Sequence, residues 1–549
     1  MSNGIPPLPD IPLEQRTPLV EALLAIICAQ QDRITQLEET VQKLRDEIAI
    51  LQGQKPRPKI APSQLEKPAP ALDPLLLRLG GKKKKRPGSA KKSKNAQFTI
   101  TREERIAFPD PPPGSVSKGF EEYFVQELVI RAEVTRYLRE RIQLPDGQTL
   151  LAPLPADVLP GEHFGPDLVS YILYQYHHNH VTQPLLQEEL AQRGILISAG
   201  QINNILTENK QLFHEEKADV LTAGLQTASY IQVDDTGARH DGKNGYCTHI
   251  GNEFFAYFES TDSKSRLNFL HVLRGRHCDY VINEIAVAYW EKYGLAAALI
   301  ASLRGGPAYF GDAAAWNERL HALGVTSARL IRITTEGALL GSLIDHGVSP
   351  HLVVLSDGAG QFIILIHAAC WVHIERPLAR MIPHNEQHRL AIEAIRKQIW
   401  ELYQDLKAYR QQPRPEQVAA LTARFEALCS QRTVYPSINQ VLKDMSEHQA
   451  DLLRVLERPK VPLHNNAAES DIRDYVKKRK ISGSTRSDAG RACRDTFASL
   501  KKTCRKLGVG FWDYLRDRIR GLGQIPRLAD LIRQRAAEAT AKDAQAVPT

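Results

Sequence analysis

Three acidic positions stand out by what surrounds them. Residues 229–233 form a short β-rich run that ends in Asp234-Asp235-Thr236, and residues 351–355 form an apolar run that ends in Ser356-Asp357-Gly358. Glu469 lies in Asn465-Asn466-Ala467-Ala468-Glu469, which opens a helix that continues through Arg473 into Lys477, Lys478, Arg479 and Lys480. Carboxylates at adjacent strand ends converge on one point, and a helix can bring a third. Oxygen ligands of this kind suit Mg2+, which takes one or two carboxylates and completes its shell with water and phosphate. Two such ions about 3.5–4 Å apart activate an attacking oxygen and stabilise a leaving one in phosphoryl transfer on DNA. Each residue also has a purely structural reading. Asp234, Asp235 and Asp357 suit turns, and Glu469 stands three residues after Asn466, the spacing of a capping box.

The elements that must position these groups are partly legible. Strand-like runs at 246–250 and 253–259, joined through the two-residue hairpin signal Gly251-Asn252, follow the first run. Three consecutive antiparallel strands with an acidic residue at the end of the first is how a ribonuclease-H-like sheet begins. About 120 residues separate Asp234 from Asp357, more than such a core needs, so an inserted segment near 278–349 is expected. Strong helical patterns at 387–409, 415–429 and 437–456 lie between Asp357 and Glu469.

Upstream, residues 18–51 carry heptads with Val20, Ile27, Ile34, Val41 and Ile48 at one core position and Leu23, Leu37, Leu44 and Leu51 at the other, broken only by Gln30. Pro18 and Gly53 mark the ends. This pattern predicts a parallel two-stranded coiled coil over 1–53, hence a homodimer or higher homo-oligomer, in preference to one amphipathic helix packed on its own domain. Residues 54–97 read as a basic Pro/Lys-rich linker. Residues 98–160 read as a small β-rich segment with strands at 123–130 and 148–154. Within 161–222, residues 182–192 and a second helix capped by Ser198 follow helix-turn-helix grammar, with Gln201, Asn203 and Asn204 available for base edges.

The 549 residues exceed what one hydrophobic core supports, so several folded units are expected. Net charge is +8, and between Asn465 and Arg535 eighteen Lys/Arg stand against eight Asp/Glu, which favours a polyanionic partner. Seven cysteines without a C-x-x-C pair argue against a disulfide scaffold or thiolate zinc finger. No signal peptide opens the chain and no uninterrupted apolar stretch could span a bilayer, so a soluble protein of a reducing cytoplasm is expected, with no membrane partner.

From about Tyr230 to Arg520 the chain resembles the transposases of the insertion sequence 66 family, members of the DDE group. Its Asn465-Asn466-Ala467-Ala468-Glu469 run, the following Lys478-Arg479-Lys480, Ala498-Ser499-Leu500-Lys501 and the tail Phe511-Trp512-Asp513-Tyr514-Leu515 match the family's third motif and the helices after it. Asp234-Asp235-Thr236 matches its first motif, and Cys370-Trp371-Val372-His373, with Arg376 nearby, its Cys-Trp-x-His signature. Ser470 replaces the arginine usual after the glutamate, and the cysteine-rich segment usual upstream of the helix-turn-helix is missing, so no structural zinc is expected there. A Cys370/His373 zinc site lacks a second ligand pair, so His373 reads better as a structural or DNA-contacting residue.

The resemblance implies a multidomain α/β protein. A ribonuclease-H-like mixed-sheet core (223–376 and 461–535) would carry an all-helical insertion (377–460) and end in a disordered tail (536–549). Asp234, Asp357 and Glu469 would hold two Mg2+, replaceable by Mn2+. Asp235, Cys370, His373, Arg376, Asn465, Asn466, Arg473, Lys477, Lys478, Arg479 and Lys480 would lie near the site or on DNA. The implied activity is binding of element ends in double-stranded DNA, cleavage there, and joining of 3′-hydroxyls to target DNA, with accessory proteins of the same element as further partners and a nucleoid location. Two rivals are a metal-dependent nuclease without strand transfer and a domesticated, non-catalytic DNA-binding protein.

Overall fold

The computed structural model describes residues 17–51, 99–155, 158 and 163–545; the expected linker at 54–97 lies outside the described residues. At its centre is a five-stranded mixed sheet. Strand β3 (Tyr230–His240) pairs antiparallel with β4 (Lys243–Gly251), which pairs antiparallel with β5 (Ala256–Thr261). On its other side β3 pairs parallel with β8 (Val353–Ser356), and β8 pairs parallel with β9 (Ile366–Ala369), giving the order β5-β4-β3-β8-β9.

Two expectations about these strands need correction. The first run does not end at Asp234: β3 continues to His240 and turns through Asp241 and Gly242, both at positive φ, into β4. Asn-Gly and Asp-Gly pairs favour this reversal because both central residues must adopt left-handed backbone. Nor do β4 and β5 join through two residues. Asn252 N–H bonds the Phe255 carbonyl, and Asn252 Oδ1 accepts from Phe254 N–H, so Glu253 sits in a side-chain-stabilised turn.

Side chains alternate across the sheet. Ile231, Val233, Ile250, Phe255 and Tyr257 face one layer, which includes helix α5 (Gln211–Thr227) and helix α6 (Arg266–Arg274). Ala238, Cys247, Ala256 and Phe258 face the other, under Ile472 and Tyr475 of helix α17 (Asn466–Ser482). The segment between β5 and β8 holds a two-stranded ladder, β6 (Tyr280–Val281) with β7 (Tyr309–Phe310), and helices α7 (Glu284–Lys292), α8 (Ala297–Arg304), α9 (Ala313–Ala322) and α10 (Ala328–Asp345). Between β9 and α17, helices α11 (Trp371–Arg380), α12 (Glu386–Gln411), α13 (Pro415–Cys429) and α14 (Pro436–Glu447), with the single turns α15 (Gln449–Leu452) and α16 (Arg454–Glu457), build a separate core around Trp371, Ile399, Leu402, Phe425 and Leu442.

Ahead of the sheet, α2 (Pro166–His177), α3 (Gln183–Gln192) and α4 (Ala199–Thr207) precede α5. The only strands among residues 99–155 are β1 (Arg141–Gln143) and β2 (Thr149–Leu151), a small exposed hairpin. The run at 123–130 is not a strand, since it has β-type side chains but no partner to complete a ladder. After α18 (Asp488–Leu507) and α19 (Phe511–Arg520), the expected tail is instead mostly helix: α20 spans Leu528–Gln545 and packs Leu528, Ala529 and Ile532 into the main core. Helix α1 (Pro18–Leu51) meets the body through polar residues: Thr35 and Glu39 are buried, and Glu39 accepts from Ser437 Oγ at 2.6 Å. Its apolar stripe, including Leu23, Ile27, Ile34, Leu37, Val41, Leu44 and Ile48, is exposed.

Candidate active site

The parallel ladder between β3 and β8 ends at Gln232 opposite Leu355, so Asp234 and Asp357 sit just past the point where the two strands part. Strand alternation assigns them their faces. Asp234 stands across from His249 of β4, and His249 lies on the α17 face, with Nε2 3.3 Å from Asp471 Oδ2. Asp235 therefore points to the opposite face. There it accepts from Thr248 Oγ1 at 2.6 Å and from Gln361 Nε2 at 3.0 Å, which fastens the loop after Asp357 to β3.

Asp357 follows β8 in an exposed turn. Its Oδ1 accepts from Ala359 N–H at 3.0 Å, and Gly358 takes φ +91°, where a side chain would be strained. Beneath the turn, Ser356 Oγ lies 2.8 Å from His367 Nε2 and accepts from Gly358 N–H, while His367 Nδ1 lies 2.8 Å from Asp451 Oδ2. This buried chain ties the Asp357 turn to the helical unit. Neither β9, which carries His367, nor these partners were recognised from sequence; the short run Ile366-His367-Ala368-Ala369 gives no alternation to read.

Glu469 arrives from a third direction. Helix α17 begins at Asn466 with Asn465 as its cap residue and without a side-chain cap bond, so the capping-box reading of Asn466 and Glu469 does not hold. Asn465, fully buried, instead donates from Nδ2 to the Val233 carbonyl at 2.8 Å, and its backbone N–H reaches Cys370 Sγ at 3.2 Å. Cys370 N–H in turn bonds the Ser356 carbonyl. Gln232 Nε2 donates to the His464 carbonyl. The entry to the Glu469 helix is thus pinned to both aspartate-bearing strands. Burial pushes the Cys370 thiol up to about 11, which suits this structural use and opposes metal ligation.

Asp357 and Glu469 both bear electrostatically on Asp234. Burial first, then the charges of Asp357 and Glu469 against the Asp235 N–H bond, push Asp234 up to about 7. Three basic side chains ring Glu469 at the long end of ion-pair range: His373 Nε2 at 3.6 Å and Arg376 Nη2 at 3.5 Å from Oε1, and Arg473 Nη2, which donates to Oε2 at 3.5 Å. The same helix carries Asp471 and Asp474, but these are engaged elsewhere. Despite burial, His249 and Lys506 hold Asp471 far below the usual carboxylate range, and His180 and Lys501 do so for Asp474.

The basic residues divide. Arg473, Lys477 and Lys480 are exposed on α17, and Arg479 Nη1 is 3.4 Å from Thr236 Oγ1. Lys478, expected at DNA, is 5% exposed, with Nζ 3.3 Å from the Tyr176 ring centroid and bonded to the Tyr176 carbonyl; burial lowers it to about 7. It anchors α2 to α17. In α4, Ser198 and Gln201 form a capping box that engages Gln201 Oε1, and Gln201, Asn203 and Asn204 are all exposed.

The structure defines an α/β protein whose mixed sheet carries Asp234 within β3 and Asp357 just after β8, with Glu469 on a helix that also exposes Arg473, Lys477 and Lys480. The family model described as Transposase IS66 family matches residues 161–280 and 358–492. The chain is 43% identical over 321 residues to the uncharacterized protein y4jO of Sinorhizobium fredii, an alignment that covers 58% of this chain and all of that relative. The chain belongs to the IS66 transposase family. Membership implies transposase activity and a DNA substrate. Among the described residues no helix is long and apolar enough to cross a membrane.

Proposed function

We propose that the protein is a DDE transposase with a ribonuclease-H-like core, in which Asp234, Asp357 and Glu469 hold two divalent ions, Mg2+ or Mn2+, and that it cleaves the ends of its insertion sequence and joins the 3′-hydroxyls to target DNA. The observation that carries the reading is Asp234, a half-buried carboxyl raised first by burial and then by the charges of Asp357 and Glu469, because cations stabilise such a group of carboxylates. The buried Glu469 Oε1 without a hydrogen bond fits the same need. Bound ions would activate the attacking oxygen and stabilise the leaving one.

The chain's own residues supply positioning. Asn465 and Cys370 fix Glu469 relative to Asp234, Asp235 and Gln361 fix the Asp357 turn, and Arg376 and His373 hold Glu469 until metal and phosphate arrive. Arg473, Lys477, Arg479 and Lys480 would follow the DNA backbone. The helices α3 and α4 would read the element ends through Asn203 and Asn204 as a helix-turn-helix. The exposed heptad stripe of α1 would pair two copies as a coiled coil and so bring two ends together. A nucleoid location follows from DNA binding.

The test is incubation of the protein with labelled end DNA and Mg2+. Nicked and joined products are expected, both lost with Asp357→Asn at unchanged DNA affinity; Ca2+ should support binding without turnover. Nicking without joining would favour a nuclease, and full activity in a chelator would sink the mechanism.

A further inference from the structure

We infer that His277, Asp279 and His346 form a site for a borderline divalent cation, with Zn2+ the best fit, separate from the carboxylate cluster. His277 lies just after α6, Asp279 just before β6, and His346 caps the C-terminus of α10. Residues far apart in sequence thus meet where the segment between β5 and β8 leaves the sheet layer and where it returns. Asp279 is buried, with 4% exposure, and its Oδ1 is 2.9 Å from His346 Nε2. The His277 and His346 rings stack with centroids 3.5 Å apart at 11°. One ligand atom from each of the three residues lies within 4.8 Å of the others, the only such trio among the described residues.

The donor set argues for the ion. Two imidazoles and a carboxylate suit Zn2+ and similar transition ions, whereas Mg2+ and Ca2+ prefer oxygen alone. Ligating imidazoles must be neutral, and two parallel rings this close cannot both carry charge without repulsion. The neighbouring cations are turned elsewhere: Arg276 pairs with Asp219, and Arg274 donates to the Asp279 backbone carbonyl at 2.7 Å and lies over the Tyr280 ring. Behind the cluster, Gln226 Nε2 reaches the His346 carbonyl at 3.3 Å, joining it to α5. Three protein ligands leave room for water, and the ion would clasp both ends of the segment against the layer beneath β3. The site does not depend on the catalytic reading.

The experiment uses the full chain carrying Asp234→Asn, Asp357→Asn and Glu469→Gln, so that the carboxylate cluster cannot compete. The chelator-treated protein is titrated with Co2+ and followed by visible absorption. One Co2+ per chain is expected, displaced by Zn2+ but not by excess Mg2+, and lost on adding His277→Ala or His346→Gln. Circular dichroism of the metal-free variants checks folding, and if either imidazole variant fails to fold, Asp279→Asn decides in the same titration. No bound Co2+ in the parent, or binding that survives these substitutions and so belongs to other imidazoles such as His384 and His388, would overturn the proposal.

Discussion

Asn465 donates from its side-chain amide to the carbonyl of Val233, the residue before Asp234, at 2.8 Å and out of contact with solvent. One hydrogen bond therefore fixes the start of the helix that carries Glu469 to the strand that carries Asp234. Because it is buried, its loss leaves a carbonyl without a partner, which costs about 1–3 kcal/mol. Asn465→Ala should destabilise by that amount and slow end cleavage more than about tenfold, since misplacement by about 1 Å has such effects, with DNA affinity retained. Cleavage kinetics and a binding isotherm on the same preparation check it; unchanged kinetics would make the bond irrelevant to catalysis.

The raised carboxyl of Asp234 makes a pH prediction. In the folded, metal-free protein it keeps its proton up to about pH 7, whereas unfolded it releases it near 3.8. The folded state binds the extra proton in that interval, so this group's contribution to stability is full at low pH and declines as pH rises from about 4 to about 7. Asp234→Asn removes the titration and should stabilise the metal-free protein at pH 8, by on the order of 1–3 kcal/mol after allowing for solvent on the open side of the site. At pH 5 the gain should be smaller. Melting curves across pH, with and without Mg2+, test this; parallel curves for both proteins would contradict it.

Two adjacent lysines should behave differently on DNA. Lys477 is exposed and Lys478 is buried against Tyr176. Binding should weaken steeply with salt, and Lys477→Ala should reduce the slope of log affinity against log salt by about one. Lys478→Ala should leave the slope alone and lower the melting temperature. Anisotropy titrations at several salt concentrations separate the two, and a salt-slope change with Lys478→Ala would place it on DNA after all.

Much of the frame could be read from residue types. Glu469 and Asp357 stand out because a helix start rich in Asn and a strand ending in Asp-Gly are strong local signals. The helices α12, α13 and α14 show plain apolar periodicity. What escaped was set by partners distant in sequence. Asp234 looked like a strand end because polar residues follow it, yet β3 continues because β4 pairs with it as far as His240. Residues 123–130 had strand-forming side chains and no partner. Lys478 looked like its neighbours in sequence, and only the packing of α2 buries it. The brace from Ser356 through His367 to Asp451 joins three segments that no local pattern connects.

Helix α1 predicts self-association. Its polar residues Thr35 and Glu39 contact the body while its heptad leucines and isoleucines face outward, an apolar stripe that monomers seldom leave bare. Removing residues 1–53 should lower the mass measured by light scattering to that of a smaller assembly. An unchanged assembly state would place the interface elsewhere.

The most direct test of the account is Glu469→Gln. With no capping role to preserve, glutamine keeps the size of the side chain and removes only its charge, and a neutral amide binds Mg2+ far less well than a carboxylate. We expect a variant with nearly wild-type melting and DNA affinity but no detectable end cleavage or strand transfer in Mg2+. Near-normal cleavage by Glu469→Gln would contradict the three-carboxylate site.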